Sequence, residues 1–126
     1  MPRGARDLRE RPRQRVHWRG HYRINGGAPR WDDCQVIDIT RFGVGAELTE
    51  ETEGDLVGRR ITVVAEARLG VRQSVGLRMV GVIRNTVPMF HQGGIRAGIE
   101  LVHVSDDDQS VLDDALRRLR PTSSGF

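Results

Sequence analysis

The 126-residue sequence contains no lysine, a single cysteine and few aromatic side chains, which make up 5% of the chain. Because Cys34 has no second cysteine to pair with, an internal disulfide is excluded, and a reducing compartment fits best. No apolar run approaches the roughly 20 residues that cross a bilayer, and the first residues lack the apolar core of a secretory signal. These absences predict a cytoplasmic protein without membrane insertion, and the length suits one globular domain.

All 20 basic residues are arginine, and they are unevenly distributed. Residues 1–31 hold nine arginines against two acids, a net charge of +7, whereas residues 32–126 hold 11 arginines against 15 acids, a net charge of −4. Arginine presents a planar fork of donors that matches phosphate groups and the guanine edge. The gradient favours an anion as ligand of the N-terminal end, although the preference for arginine over lysine by itself equally fits a GC-rich genome.

Short segments of alternating apolar and polar residues, separated by glycine-bearing turns, run through the chain. Such alternation is typical of half-buried strands. The six segments are 16–24, 31–39, 44–48, 61–69, 75–83 and 95–101. Since no helix separates them, they predict a mainly β fold, a small six-stranded antiparallel barrel. The turn formers between the first two segments predict an antiparallel hairpin.

Two local predictions concern the second segment and the residues directly after it. The apolar residues Cys34, Val36, Ile37 and Ile39 predict a strand buried on both faces. Residues 40–43 then interrupt the alternation, which predicts a tight turn or bulge with Gly43 in a conformation that other residues rarely adopt.

The C-terminal segment changes to helical spacing. Ser105 is a candidate N-cap for a helix whose first turn holds three aspartates, and its last turn is basic. One apolar stripe predicts that this helix packs on the barrel or plugs one of its mouths. The predicted organisation is therefore a flexible basic arm over residues 1–15, a barrel plus C-terminal helix over 16–120, and a disordered tail over 121–126.

The sequence contains no motif that is typical of catalysis or metal binding. The closest histidine pair, His17 and His21, shares one strand face with its backbones about 13 Å apart. No serine lies in a nucleophile elbow, no phosphate-binding glycine loop of the nucleoside-triphosphate type occurs, and Cys34 lies in a strand without an activating partner. The pattern favours binding over enzymatic activity, with no metal and no cofactor.

The N-terminal arginines alternate immediately before the first strand. Residues 9–16 read Arg-Glu-Arg-Pro-Arg-Gln-Arg-Val, so in an extended segment the four arginines point the same way. Pro12 supports extension. The hairpin brings the Asp38-Ile39-Thr40-Arg41-Phe42-Gly43 segment back beside Arg15, so a cationic segment and a carboxylate become neighbours.

An arginine pair RxxxR followed one hairpin later by [D/N]xSxxG, on a six-stranded barrel with a C-terminal helix, resembles the PilZ domain family. The matching residues are Arg11, Arg15, Asp38, Thr40 and Gly43. A register with Arg9 and Arg13 is also possible, but Arg15 directly precedes the first apolar strand residue, as the second arginine of the family usually does. Thr40 stands where the family most often has serine, which keeps the hydroxyl and adds a methyl group.

The resemblance implies binding of the bacterial second messenger cyclic di-GMP. Arg11 and Arg15 are then expected to bind phosphates and guanine edges, and Asp38 to accept hydrogen bonds from the N1/N2 edge of a guanine. Thr40 is expected to hydrogen-bond and Gly43 to permit close approach. Arg30 and Trp31 are possible further contacts, with packing the favoured role of Trp31. The signal is expected to pass through ordering of the arm and a changed surface shown to a protein partner.

Two alternatives remain open at this point. A small barrel with a basic arm could bind nucleic acid through its phosphates, although Asp38 would then have no role and few exposed aromatics are available for stacking. A barrel of the same family could instead serve as a protein adaptor without binding a nucleotide. The intact motif residues argue against this second alternative. The sequence does not predict an oligomeric state, the downstream partner or the ligand stoichiometry.

Overall fold

The computed structural model describes residues 13–26, 30–49, 56–90 and 92–119, so Arg11 and most of the predicted arm lie outside the described residues, as does the predicted tail. The described elements are six strands, β1 (Gln14–Ile24), β2 (Asp32–Ile39), β3 (Gly43–Leu48), β4 (Arg60–Gly70), β5 (Gln73–Pro88) and β6 (Ile95–His103), and one helix, α1 (Asp106–Leu119). Each strand overlaps a predicted segment. β1 begins two residues before the predicted alternation, and β5 extends five residues beyond its segment.

The strands close into one antiparallel barrel in the order β1-β2-β3-β6-β5-β4, which confirms the predicted fold class. The consecutive pairs β1–β2, β2–β3, β4–β5 and β5–β6 form hairpins. β3 and β4 do not pair with each other, and the barrel closes where β3 pairs with β6 and β1 pairs with β4. Every strand of the described sheet has two neighbours, as closure into a barrel requires.

The barrel interior is filled by the apolar residues of the alternating pattern. In β1 the predicted inward residues Val16, Trp18, Tyr22 and Ile24 are all buried. Gly20 occupies the remaining inward position, and a Cβ there would lie 2.7 Å from the Val64 carbonyl oxygen, so only glycine fits. The fully buried side chains include Tyr22, Ile39, Leu48, Ile61, Leu77, Met79, Ile83 and Leu112.

Helix α1 begins with a reciprocal cap. The Asp108 backbone N–H donates to Ser105 Oγ at 3.1 Å, and Ser105 Oγ donates to Asp108 Oδ2 at 2.7 Å. The same aspartate accepts the Arg78 N–H of β5 through Oδ1 at 3.1 Å, so the cap also ties the helix to the barrel.

The helix packs against β4 and β5, as its apolar stripe predicts, with Leu112 and Ala115 buried at the contact. At its C-terminal end Arg118 donates to the Leu69 carbonyl of β4 at 3.1 Å. Hydrogen bonds from Arg118 and Arg117 hold the pKa of Asp114 below its usual value. No helix in the described ranges is long and apolar enough to cross a membrane.

Candidate functional site

A bulge in β2 sets the direction of Asp38. Val36 pairs with Ala46 of β3 and Asp38 pairs with Gly45, so Ile37 is an extra residue in β2. The bulge shifts the side-chain alternation by one position. Val36 and Ile39 therefore both lie inside the barrel at 0% exposure, although they are three residues apart, while Asp38 faces outward. The apolar run of β2 reflects this bulge rather than the predicted burial on both faces, since Ile37 and Cys34 are only half-buried.

Thr40 organises the turn between β2 and β3. Its Oγ1 accepts the backbone N–H groups of Phe42 at 3.1 Å and Gly43 at 3.0 Å, and donates to the Gly43 carbonyl at 3.3 Å. The Thr40 N–H also donates to that carbonyl, at 2.9 Å. One hydroxyl offers one donor and two acceptor sites. All three are used within the turn, so the Thr40 hydroxyl positions the backbone that leads to Gly43. The ligand contact expected for Thr40 stays a prediction.

Gly43 does not have the left-handed backbone that the sequence predicted. The described glycines with positive φ are Gly26, Gly58, Gly93 and Gly94. Gly43 instead begins β3 in regular pairing with Glu100 of β6 and is buried. The prediction was wrong because the Thr40 hydroxyl completes the turn by hydrogen bonds, without requiring an unusual conformation at its last residue.

An open cavity of about 370 Å³ lies against the outer surface of the barrel at this turn. Asp38, Thr40 and Gly43 all line it. Arg13 lines it as well, with its guanidinium NH1 3.8 Å from Asp38 Oδ2. The Asp38 side chain keeps 21% of its surface exposed and that of Arg13 keeps 63%, so both groups are accessible to a molecule in the cavity.

The two predicted arginines have different outcomes. Arg11 lies outside the described residues. Arg15 is exposed and is the register partner of Asp38 across the β1 and β2 pair, yet it is not among the residues that line the cavity. Arg13, which the sequence assigned to the less favoured register, is the described arginine of the segment that contacts Asp38.

The possible contacts at residues 30 and 31 are not part of this cavity. Trp31 and Asp38 are seven residues apart along the chain, a separation of about 23 Å in an extended strand. Arg30 pairs with Asp32 at 3.3 Å, and the Arg23 guanidinium lies 5.1 Å from the Trp31 ring centroid. Trp31 is 39% exposed, so it is a surface stacking partner of Arg23 rather than a core residue.

The opposite wall of the cavity comes from β5 and β6 and was missed in the sequence. It includes Arg84, Asn85, Gly98 and Glu100. Arg84 Nε lies 2.7 Å from Glu100 Oε1, so these two charges largely neutralise each other. The alternation of β6 assigns Gly98 and Glu100 to the outer face and was a usable signal. The pairing of β3 with β6, which brings them to Asp38, is not readable from local sequence.

A second open cavity of about 400 Å³ lies near the other end of β2 and includes Cys34 and Asp33 in its lining. Burial, with a smaller contribution from the Asp33 charge, raises the pKa of Cys34 to about 12. The thiol is therefore neutral and a poor nucleophile at physiological pH. Within the described ranges, no three His, Cys, Asp or Glu side chains are grouped so that they could hold a metal ion.

No protein-family model and no curated protein matches this sequence. Solved structures do match. The Bacillus subtilis inhibitor of motility MotI/DgrA aligns over 84% of this chain with a TM-score of 0.66 and 12% identity. The PilZ domain of YcgR from Escherichia coli, solved with c-di-GMP, aligns over 86% with a TM-score of 0.60 and 13% identity.

These likenesses define the class of protein by its fold. The chain covers 88% of the YcgR PilZ domain but 48% of MotI/DgrA, so it spans about half the length of the latter. The described chain therefore has a PilZ-like fold, in agreement with the resemblance of its motif residues.

Proposed function

We propose that this chain binds cyclic di-GMP in the cavity beside Asp38. The observation that carries the proposal is that one cavity joins three of the five motif residues, Asp38, Thr40 and Gly43, with an arginine of the preceding segment. Its similarity to a PilZ domain solved with c-di-GMP supports the same ligand. The chemistry is that of binding, since guanidinium groups bind phosphate and guanine O6 and N7, and a carboxylate accepts guanine N–H groups.

Each motif residue then has a distinct role. Arg15 and Arg11 bind phosphate and guanine edges, Arg13 reinforces them, and Asp38 accepts the N1/N2 donors of one guanine. Thr40 acts through the turn, by fixing the backbone that leads to Gly43. Asp38 at the centre of the site also disfavours the nucleic-acid alternative, since a carboxylate repels a phosphate backbone.

We infer further that binding orders the part of the predicted arm that precedes β1 over the barrel and so changes the surface shown to a protein partner. The two ligand phosphates would neutralise arginines that repel one another without ligand, which favours a compact arm. Because the arm is rich in arginine, tryptic cleavage within it reports its order, and we expect cyclic di-GMP to slow that cleavage.

The test is a calorimetric titration of cyclic di-GMP into the wild type, Arg15→Ala and Asp38→Ala. The wild type is expected to bind, and each variant to lose at least about tenfold in affinity, as for loss of a charge-assisted hydrogen bond. Arg19→Ala is the matched control, because Arg19 lies on the same outward face of β1 but pairs with Gln35, away from the cavity. Absence of binding heat at tens of micromolar wild-type protein would contradict the proposal and favour the adaptor alternative.

A further inference from the structure

Two bulges of the same kind flank the cavity. In β2 the extra residue is Ile37, immediately before Asp38. In β5 the register shifts between Ile83 and Asn85, so Arg84 is the extra residue immediately before Asn85. Each bulge therefore precedes a polar residue that faces the cavity.

Each of these polar side chains lies over a glycine of the neighbouring strand. Asp38 is the register partner of Gly45, and a Cβ on Gly45 would lie 2.8 Å from Asp38 Oδ1. Asn85 is the register partner of Gly98, and a Cβ there would lie 2.8 Å from Asn85 Oδ1 and 2.9 Å from Nδ2. Only a residue without a side chain leaves room for this contact.

The two glycines are themselves partners across the β3 and β6 pair. Neighbouring strands lie about 5 Å apart, so the carboxylate and the carboxamide approach each other from opposite sides of a surface that carries no side chain. The row Asp38, Gly45, Gly98, Asn85 therefore places a carboxylate and a carboxamide on either side of one pair of adjacent glycines.

The carboxamide of Asn85 is available to a ligand. Asn85 is exposed, and its side chain has no hydrogen bond to any part of the chain that the structure describes. Its charged neighbours in the same wall, Arg84 and Glu100, are paired at 2.7 Å. Asn85 supplies two N–H donors and a carbonyl acceptor.

We propose that Asn85 and Asp38 together read the Watson–Crick edge of one guanine. The Asp38 carboxylate accepts N1–H and N2–H, and the Asn85 amide N–H donates to O6. Adenine reverses this pattern, because it presents a donor in place of O6 and an acceptor at N1. This inference deepens the proposed function and rests on it, since it names the residue that completes guanine selection.

The experiment titrates cyclic di-GMP and cyclic di-AMP into the wild type, Asn85→Ala and Asn85→Asp. Asn85→Ala is expected to weaken cyclic di-GMP binding about tenfold, the effect of one net hydrogen bond, while cyclic di-AMP binding does not weaken. Asn85→Asp is expected to weaken cyclic di-GMP binding further, because a second carboxylate repels O6. Gln73→Ala, which removes a carboxamide at the other end of β5, is the matched control and is expected to leave both affinities unchanged.

A double-mutant cycle with Asp38→Ala tests whether the two residues act on the same base. If they do, Asn85→Ala costs less once Asp38 is removed. Equal cyclic di-GMP affinity in the wild type and in Asn85→Ala overturns this inference alone. Failure of the wild type to bind cyclic di-GMP overturns the proposed function, and this inference with it.

Discussion

The β4–β5 hairpin and the β2–β3 hairpin are both antiparallel pairs of one barrel, yet they are built differently. The β4–β5 register is unbroken from the Arg60 and Val82 pair to the Arg68 and Ser74 pair. The β2–β3 register is interrupted at Ile37, a few residues before a turn that a side-chain hydroxyl completes. Regular pairing keeps one face of the strands apolar and buried. A bulge interrupts this alternation and turns the polar side chain that follows it toward the outer face.

Under the proposed function, the regularly paired stretch of β4 and β5 contributes stability, and the interrupted β2–β3 hairpin contributes ligand recognition. The regular hairpin carries Leu77 and Met79 in the core and is covered by α1. The interrupted hairpin carries Asp38, Thr40 and Gly43 at the cavity. Substitutions in the two hairpins should therefore affect different measurements.

The largest effect is expected from Leu77→Ala in the regular hairpin. Leu77 is 0% exposed, so its truncation leaves a cavity and lowers the free energy of unfolding by about 2–5 kcal/mol. Urea denaturation measures this loss, and cyclic di-GMP affinity of the folded variant should not change. A large loss of affinity in the folded protein would break the division between the two hairpins.

An intermediate effect is expected from Thr40→Val in the turn. Valine has the shape of threonine but leaves the N–H groups of Phe42 and Gly43 without the Oγ1 acceptor, which costs about 1–3 kcal/mol of unfolding free energy. Thr40→Ser is the control, because it keeps the hydroxyl, and its stability and affinity should stay closer to those of the wild type. If serine and valine behaved alike in urea denaturation, the hydroxyl would not be what holds the turn.

The smallest effect on stability, and a selective one on binding, is expected from Gly45→Ala. Its Cβ would lie 2.8 Å from Asp38 Oδ1, so the carboxylate must move, and we expect cyclic di-GMP affinity to fall about tenfold in calorimetry. Gly76→Ala in the regular hairpin is the matched control, because a Cβ there would meet open space. That control should keep its affinity and gain up to about 1 kcal/mol of stability. Equal affinities for the two variants would contradict the role of the bare surface at Gly45.

The fold was predictable because its signals are local. Alternation identified the inward residues of β1, and the change to helical spacing at Ser105 identified α1 with its cap. The hairpin prediction also brought Arg15 and Asp38 together, which the register of β1 and β2 confirms. These predictions depended only on neighbours in sequence or on one short hairpin.

The predictions that needed correction concern bulges and turns. Ile37 was predicted to belong to a strand buried on both faces. A bulge shifts the inward and outward alternation of side chains by one position, and no characteristic residue type marks it in the sequence. Gly43 was predicted to adopt an unusual φ, because it follows a break in the strand pattern. The turn is instead completed by hydrogen bonds of the Thr40 hydroxyl, and these depend on side-chain geometry rather than on the sequence pattern. The preference for Arg15 over Arg13 stays a prediction, because Arg15 is the register partner of Asp38 while Arg13 forms the ion pair with it.

The sequence by itself determined the strands, the helix, the excess of arginine at one end and the motif residues from Asp38 to Gly43, because propensity, periodicity and short hairpins are encoded locally. Tertiary structure alone decided what faces Asp38. The closure of β3 on β6 brings Gly98 beside Gly45, and the second bulge then turns Asn85 toward the same surface. Strands far apart in sequence meet by the geometry of barrel closure, which no local pattern specifies.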